Sequence, residues 1–141
     1  DFLRASWPRL KAMNLNTVVA PVYWDVIEPV EGKPDYATVD GLVADARANG
    51  MRLVLLWFGS WKNGNMSYVP AWVKRDTTRF PRVMTAAGKP IEVLSPIAGA
   101  SRDADARARL ALTVSRWGSL PSGTSNANVD PLPGSEVSCI G

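Results

Sequence analysis

Hydrophobic positions along the chain fall into a few short blocks separated by polar, Pro- and Gly-bearing stretches. Leu3, Trp7 and Leu10 recur at i, i+4 and i+7, the spacing of an amphipathic helix. Ser6 is a candidate cap for it, with Pro8 in the first turn and Asn14 as the stop. "NTVVAPVYW" is an apolar, β-branched run without polar alternation, the pattern of a strand buried on both faces of a parallel sheet. Pro21 marks the point where its regular pairing is expected to end. After a loop from Asp25 to Asp35, the residues Val39, Leu42, Val43 and Ala46 return to helical spacing. Gly50 stands at the C-terminal cap position of that helix. "MRLVLLWF" is a second continuous apolar run. Strand, helix and strand at this spacing predict a βαβ unit, with parallel strands and a right-handed crossover.

Gly59 to Ser95 reads as a long irregular segment rich in Trp, Tyr, Pro and basic residues. A third helix is expected over Asp103 to Ser115, capped by Ser101, with Ala106, Leu110, Thr113 and Val114 on one face. From Trp117 onward Gly, Pro, Ser and Asn dominate and no period remains, so the tail reads as disordered.

Composition narrows the chemistry. The chain has 141 residues, about one domain, with 46% hydrophobic residues and six Trp. A net charge of +3 with scattered Arg argues against a nucleic-acid footprint. No run approaches the ~20 apolar residues of a membrane span, and no signal peptide is visible. Cys139 is alone and His is absent, which removes an internal disulfide, a Cys-based metal site and the commonest general base. Carboxylates, Lys, Tyr and hydroxyls remain as chemically active groups.

Two stretches stand out because both end strands. Tyr23 and Trp24 close the first, and Trp57, Gly59, Ser60, Trp61, Lys62 and Asn63 follow the second. Ligands of α/β sheets and barrels sit at the carboxyl ends of strands. Aromatic faces suit the C–H faces of sugar rings, and the polar groups suit hydroxyls; core packing is the alternative. Glu28 and Glu31, three apart in a Pro-containing loop, have the residue type of a glycosidase pair, but a solvated turn or a loop-orienting role is the favoured reading. The basic stretch Lys74, Arg75, Arg79 and Arg82, interleaved with Trp72 and Phe80, reads as a loop over a barrel mouth.

"LKAMNLNTVVAPVYWDVIEPVEGKPDYATVDGLVADARANGMRLVLLWFGSWKNG", continued by "YVPAWVKRDTTRFPRV", resembles the amino-terminal part of retaining β-glycosidases with a (β/α)8 barrel. The β-galactosidases of glycoside hydrolase families 42 and 35 are most similar. The resemblance runs from about Leu3 to Ser115. It implies an α/β fold, a partial (β/α)8 TIM barrel of the first few βα units. Residues 1–116 would form the barrel part and 117–141 a disordered or out-of-frame tail. It implies a retaining mechanism with two glutamates, an acid/base in an Asn-Glu pair after the fourth strand and a nucleophile ending the seventh. Neither position is present and the sequence holds no Asn-Glu pair, so no catalytic residue is assigned and the chain alone is expected to be inactive. By matching position, Tyr23, Trp24, Trp57, Trp61, Lys62 and Asn63 are expected to bind substrate, and Glu28 to support the loop. A galactoside is the implied partner and a homo-oligomer the implied assembly of the intact family member, with no nucleic acid, membrane, cofactor or metal. The other readings are a non-catalytic carbohydrate-binding module and a barrel remnant that does not fold stably.

Overall fold

The computed structural model describes the backbone of residues 2–117 and 137–140 and the side chains of residues 4–113. Its elements are α1 (Phe2–Ala12), β1 (Thr17–Tyr23), α2 (Trp24–Ile27), α3 (Ala37–Ala48), β2 (Arg52–Phe58), a 3₁₀ turn (Lys62–Gly64), α4 (Ala71–Arg75), β3 (Arg82–Met84), β4 (Pro90–Leu94), α5 (Gly99–Trp117) and β5 (Val137–Ile140).

Helix α1 begins earlier than expected. Ser6 lies inside it rather than at its cap, and Pro8 is interior. The helix ends as the sequence predicts. Asn14 takes φ 57°, its N–H reaches Lys11 O at 2.9 Å, and the Leu15 N–H reaches Leu10 O at 3.1 Å. This is a Schellman closure, which consumes carbonyls that the helix end would otherwise leave unpaired. Helix α3 closes in the same way. Gly50 sits at φ 64°, its N–H bonds Arg47 O, and the Met51 N–H bonds Ala46 O at 2.9 Å. Met51 and Ala46 are both buried, so the cap also packs.

β1 and β2 pair in parallel without a break, from Thr17↔Arg52 to Tyr23↔Phe58. Pro21 does not end the pairing: it faces Leu56 and the register continues for two more residues. A proline is tolerated here because β1 is an edge of the sheet order β1-β2-β5. Trp24, expected as the last strand residue, instead opens α2.

Ala20, Val22, Leu53 and Leu55 point to one face of the sheet. There they meet Trp7 of α1, Val39 and Ala46 of α3, and Leu112 of α5 in one buried cluster. The other face carries Val19, Pro21, Val54 and Leu56, and Val19 is 60% exposed. At the carboxyl end of the strands a second cluster gathers Trp24, Met66, Val69, Val73, Phe80, Leu94, Ala104 and Ala108.

The segment after β2 is more regular than its composition suggests. It contains α4 and an antiparallel β3–β4 hairpin paired at Arg82↔Leu94 and Met84↔Pro90. Helix α5 turns a different face inward from the one the apolar pattern picks. Ser101, Ala104, Ala108 and Leu112 are buried, whereas Ala106 is exposed and Leu110 is 62% exposed. Ser101 is inside the helix, not at its cap. Small side chains let α5 approach its neighbours, and the bulkier leucine is left outside.

Within the segment read as a disordered tail, residues 118–136 lie outside the described residues. Val137–Ile140 corrects that reading: it is a strand, parallel to β2 over Leu53↔Val137 to Leu56↔Ile140. β2 is therefore the central strand. The described residues form an open three-stranded parallel sheet with helices, not a closed barrel.

Candidate functional site

Because β1 and β2 end on the same rung, Tyr23 and Phe58 are brought side by side, with ring centroids 5.4 Å apart at 76°. Tyr68 completes the group. The Asp25 N–H donates to Tyr68 O at 3.0 Å, fastening the loop beyond β2 onto the end of β1. The Tyr68 ring then stacks on Tyr23 at 4.9 Å and 15°, and stands edge-on to Phe58 at 4.9 Å. Lys62 places its ammonium 4.4 Å from the Phe58 centroid, a cation–π distance. Three half-buried rings and one cation thus cap the ends of two neighbouring strands.

Trp24 has no part in that surface. It is fully buried in the second core cluster, edge-on to Trp72 at 5.8 Å, and its ring has no face to offer a ligand. Its Nε1 donates to Glu28 Oε2 at 2.9 Å, while Glu28 Oε1 accepts from the Gly32 N–H at 2.8 Å. Both oxygens of Glu28 thus hold the turn together. Trp72 Nε1 donates to Glu28 O at 3.1 Å. Glu31 lies further out and pairs with Arg79 at 2.7 Å. Its hydrogen bond, then its charge, holds the Arg79 guanidinium above its ordinary pKa. Glu28 and Glu31 are both engaged in loop contacts, and both line a hollow of about 380 Å³.

Trp57, Trp61 and Lys62 line a hollow of about 440 Å³ between the β2 end and α5. Trp61 is fixed by a bond from its Nε1 to Leu94 O at 2.8 Å. Trp57 Nε1 donates to Asp105 Oδ1 at 2.8 Å, and the Ser60 N–H donates to Asp105 Oδ2 at 2.6 Å. Gly59 is what allows this approach: a Cβ there would overlap Asp105 Oδ2 and Trp57 Nε1. Asn63 stands apart, exposed at φ 56° in the 3₁₀ turn, a backbone that Asn tolerates better than most residues.

Of the expected residues, Tyr23 and Lys62 are joined through Phe58, and Lys62 connects that group to the hollow of Trp57 and Trp61. Phe58, Tyr68 and Asp105 were not singled out in the sequence. Phe58 was recoverable from the register of the two apolar runs. Tyr68 and Asp105 come from distant loop and helix positions and leave no local pattern. Among the described residues no group of three or more His, Cys, Asp or Glu is placed to hold a metal ion, and no helix is long and apolar enough to cross a membrane.

No protein-family model matches the chain. A curated β-galactosidase of Xanthomonas manihotis is 29% identical over 108 residues, covering 65% of this chain and 18% of that protein. The chain therefore spans less than a fifth of that relative's length. The crystal structure of the catalytic domain of a β-amylase from Paenibacillus polymyxa superposes with a TM-score of 0.60 at 17% identity, covering 83% of this chain and 30% of that one. In fold, the mixed α/β arrangement with its short parallel sheet resembles part of a TIM-barrel glycosidase.

Proposed function

We propose that this chain supplies the sugar-holding end of a β-galactosidase-like, (β/α)8-barrel glycoside hydrolase of the family 42 and 35 type. The observation that carries the reading is the Tyr23–Phe58–Tyr68 group with Lys62, set at the adjacent carboxyl ends of two parallel strands. Ligands of barrel enzymes are bound at that end. Aromatic rings there present apolar faces to the C–H face of a galactosyl unit, while Trp57, Trp61 and Lys62 extend the wall with ring and ammonium groups. Glu28 supports the wall by tying the turn to Trp24. The name of the Xanthomonas manihotis relative supports a β-galactoside as the substrate.

In the whole enzyme, hydrolysis would proceed with retention through two glutamates, one protonating the leaving oxygen and the other forming a glycosyl-enzyme. The present sequence contains no Asn-Glu pair to supply the first of them. This chain on its own is therefore a binder without turnover.

Tryptophan fluorescence titrated with methyl β-D-galactopyranoside tests the reading. A saturable change that Trp61→Ala abolishes is expected; a flat titration of the parent chain overturns it. Nitrophenyl β-galactoside should show no release above the uncatalysed rate. Clear turnover lost in Glu28→Gln would make Glu28 catalytic and defeat its supporting role.

A further inference from the structure

We propose that the hollow between the β2 end and α5 is a subsite for the acidic group, carboxylate or sulfate ester, of an anionic saccharide. The proposal rests on the sugar-binding reading above and adds a charge to the substrate class.

Asp105 lies on α5, three residues after Arg102 and four before Arg109, spacings at which a carboxylate ordinarily pairs with a guanidinium on the same helix. It turns inward instead, and its two oxygens accept from Trp57 Nε1 and the Ser60 N–H. Arg102 and Arg109 sit two turns apart on α5, about 10 Å along the axis, and both line the hollow. Lys62 lines it from the facing loop. The lining thus carries three cations against one carboxylate, an excess of positive charge on the wall.

A second, independent feature points to a ligand. Ser60 lines the same hollow and is 1% exposed, yet its Oγ has no hydrogen-bond partner among the described residues. Buried hydroxyls are ordinarily satisfied, and an orphan beside a cavity marks a place where a polar atom is to be received. A carboxylate or sulfate oxygen accepts such a hydroxyl proton and pairs with guanidinium groups. Trp57 and Trp61, on the same wall, supply apolar ring surface for the sugar that carries the acid. A neutral sugar would use the indoles and leave the two arginines without a role. The hollow's volume suits a single sugar unit.

The test is tryptophan fluorescence of the full chain, titrated at constant ionic strength with D-galacturonate, D-galactose and sodium sulfate in parallel. Galacturonate is expected to bind about tenfold or more tightly than galactose, the size of one charge-assisted contact. The preference should vanish in Arg102→Ala/Arg109→Ala and be partly restored in Arg102→Lys/Arg109→Lys. Both arginines are exposed on the helix, so circular dichroism should report an unchanged fold. Equal affinity for galactose and galacturonate overturns the acidic subsite and leaves the sugar-binding reading intact. A response to sulfate without either sugar means an adventitious ion only, and overturns both. Preference for galacturonate that survives the double alanine variant places the acid elsewhere and also sinks the proposal.

Discussion

Gly59 has no room for a side chain, because the space a Cβ would take is held by Asp105 and the Trp57 indole. Its absence of a side chain is what lets one carboxylate bind both the end of β2 and the loop behind it. Replacing Asp105 by Ala strands the Trp57 and Ser60 N–H groups in a partly buried place. A loss of about 1–3 kcal/mol in urea unfolding is expected, together with a shift of the Trp57 contribution to the emission spectrum. Asp105→Asn should recover only part of this, since the amide keeps one acceptor oxygen where two are used. Trp24 illustrates the opposite use of an aromatic. Wholly enclosed, it is worth more to the core than any ligand contact could be, and Trp24→Ala should cost about 3–5 kcal/mol. In so short a chain that is enough to abolish a cooperative thermal transition. Composition does not distinguish Trp24 from Tyr23 beside it. What separates them is that the strand stops between the two, so that one ring stays on the sheet and the next is rolled into the helix side.

At the level of elements, the two Schellman closures were legible because Asn14 and Gly50 announce a left-handed residue at the end of an apolar period. The paired strands were equally legible as continuous apolar runs, β1 a β-branched one. The inward face of α5 was not. Apolar periodicity favours Leu110, but the packing surface accepts Ala104 and Ala108, whose small size permits close approach and gives no strong signal. The hairpin Arg82–Leu94 was hidden for a related reason: its strands are short, partly exposed and interrupted by a register shift. Helix α1 carries a local conflict. Pro8 lies in its interior, where it removes the N–H that would bond the carbonyl of Arg4 and crowds the preceding turn. Because Pro8 is exposed, Pro8→Ala changes little else, and it should raise unfolding stability by about 1–3 kcal/mol in a urea titration.

For the molecule as a whole, helices among the described residues cover one side of the sheet, the face built by Ala20, Val22, Leu53 and Leu55. Val19 and Pro21 look outward on a strand that, among those residues, is paired along one edge. Parallel sheets are ordinarily covered on both faces, and an apolar edge strand invites association with another chain. The protein should therefore self-associate with rising concentration in sedimentation velocity, and Val19→Lys, which puts a charge on that bare face, should shift the distribution towards the monomer. The resemblance to a barrel was carried by the order and spacing of short pieces such as Ile27-Glu28-Pro29, Glu31-Gly32 and Asn49-Gly50. The contribution of Val137–Ile140 was not, because a four-residue run after a long Gly- and Ser-rich stretch offers no period to recognise. The flush alignment of β1 with β2 reaches further than the sheet itself. Were β1 to move by a single rung, Tyr23 would change sides with Val22, so the aromatic cap and the hydrocarbon interior would fail together. Misregistered molecules would thus betray themselves by unfolding, and the population that remains folded would be uniformly competent to hold its ligand.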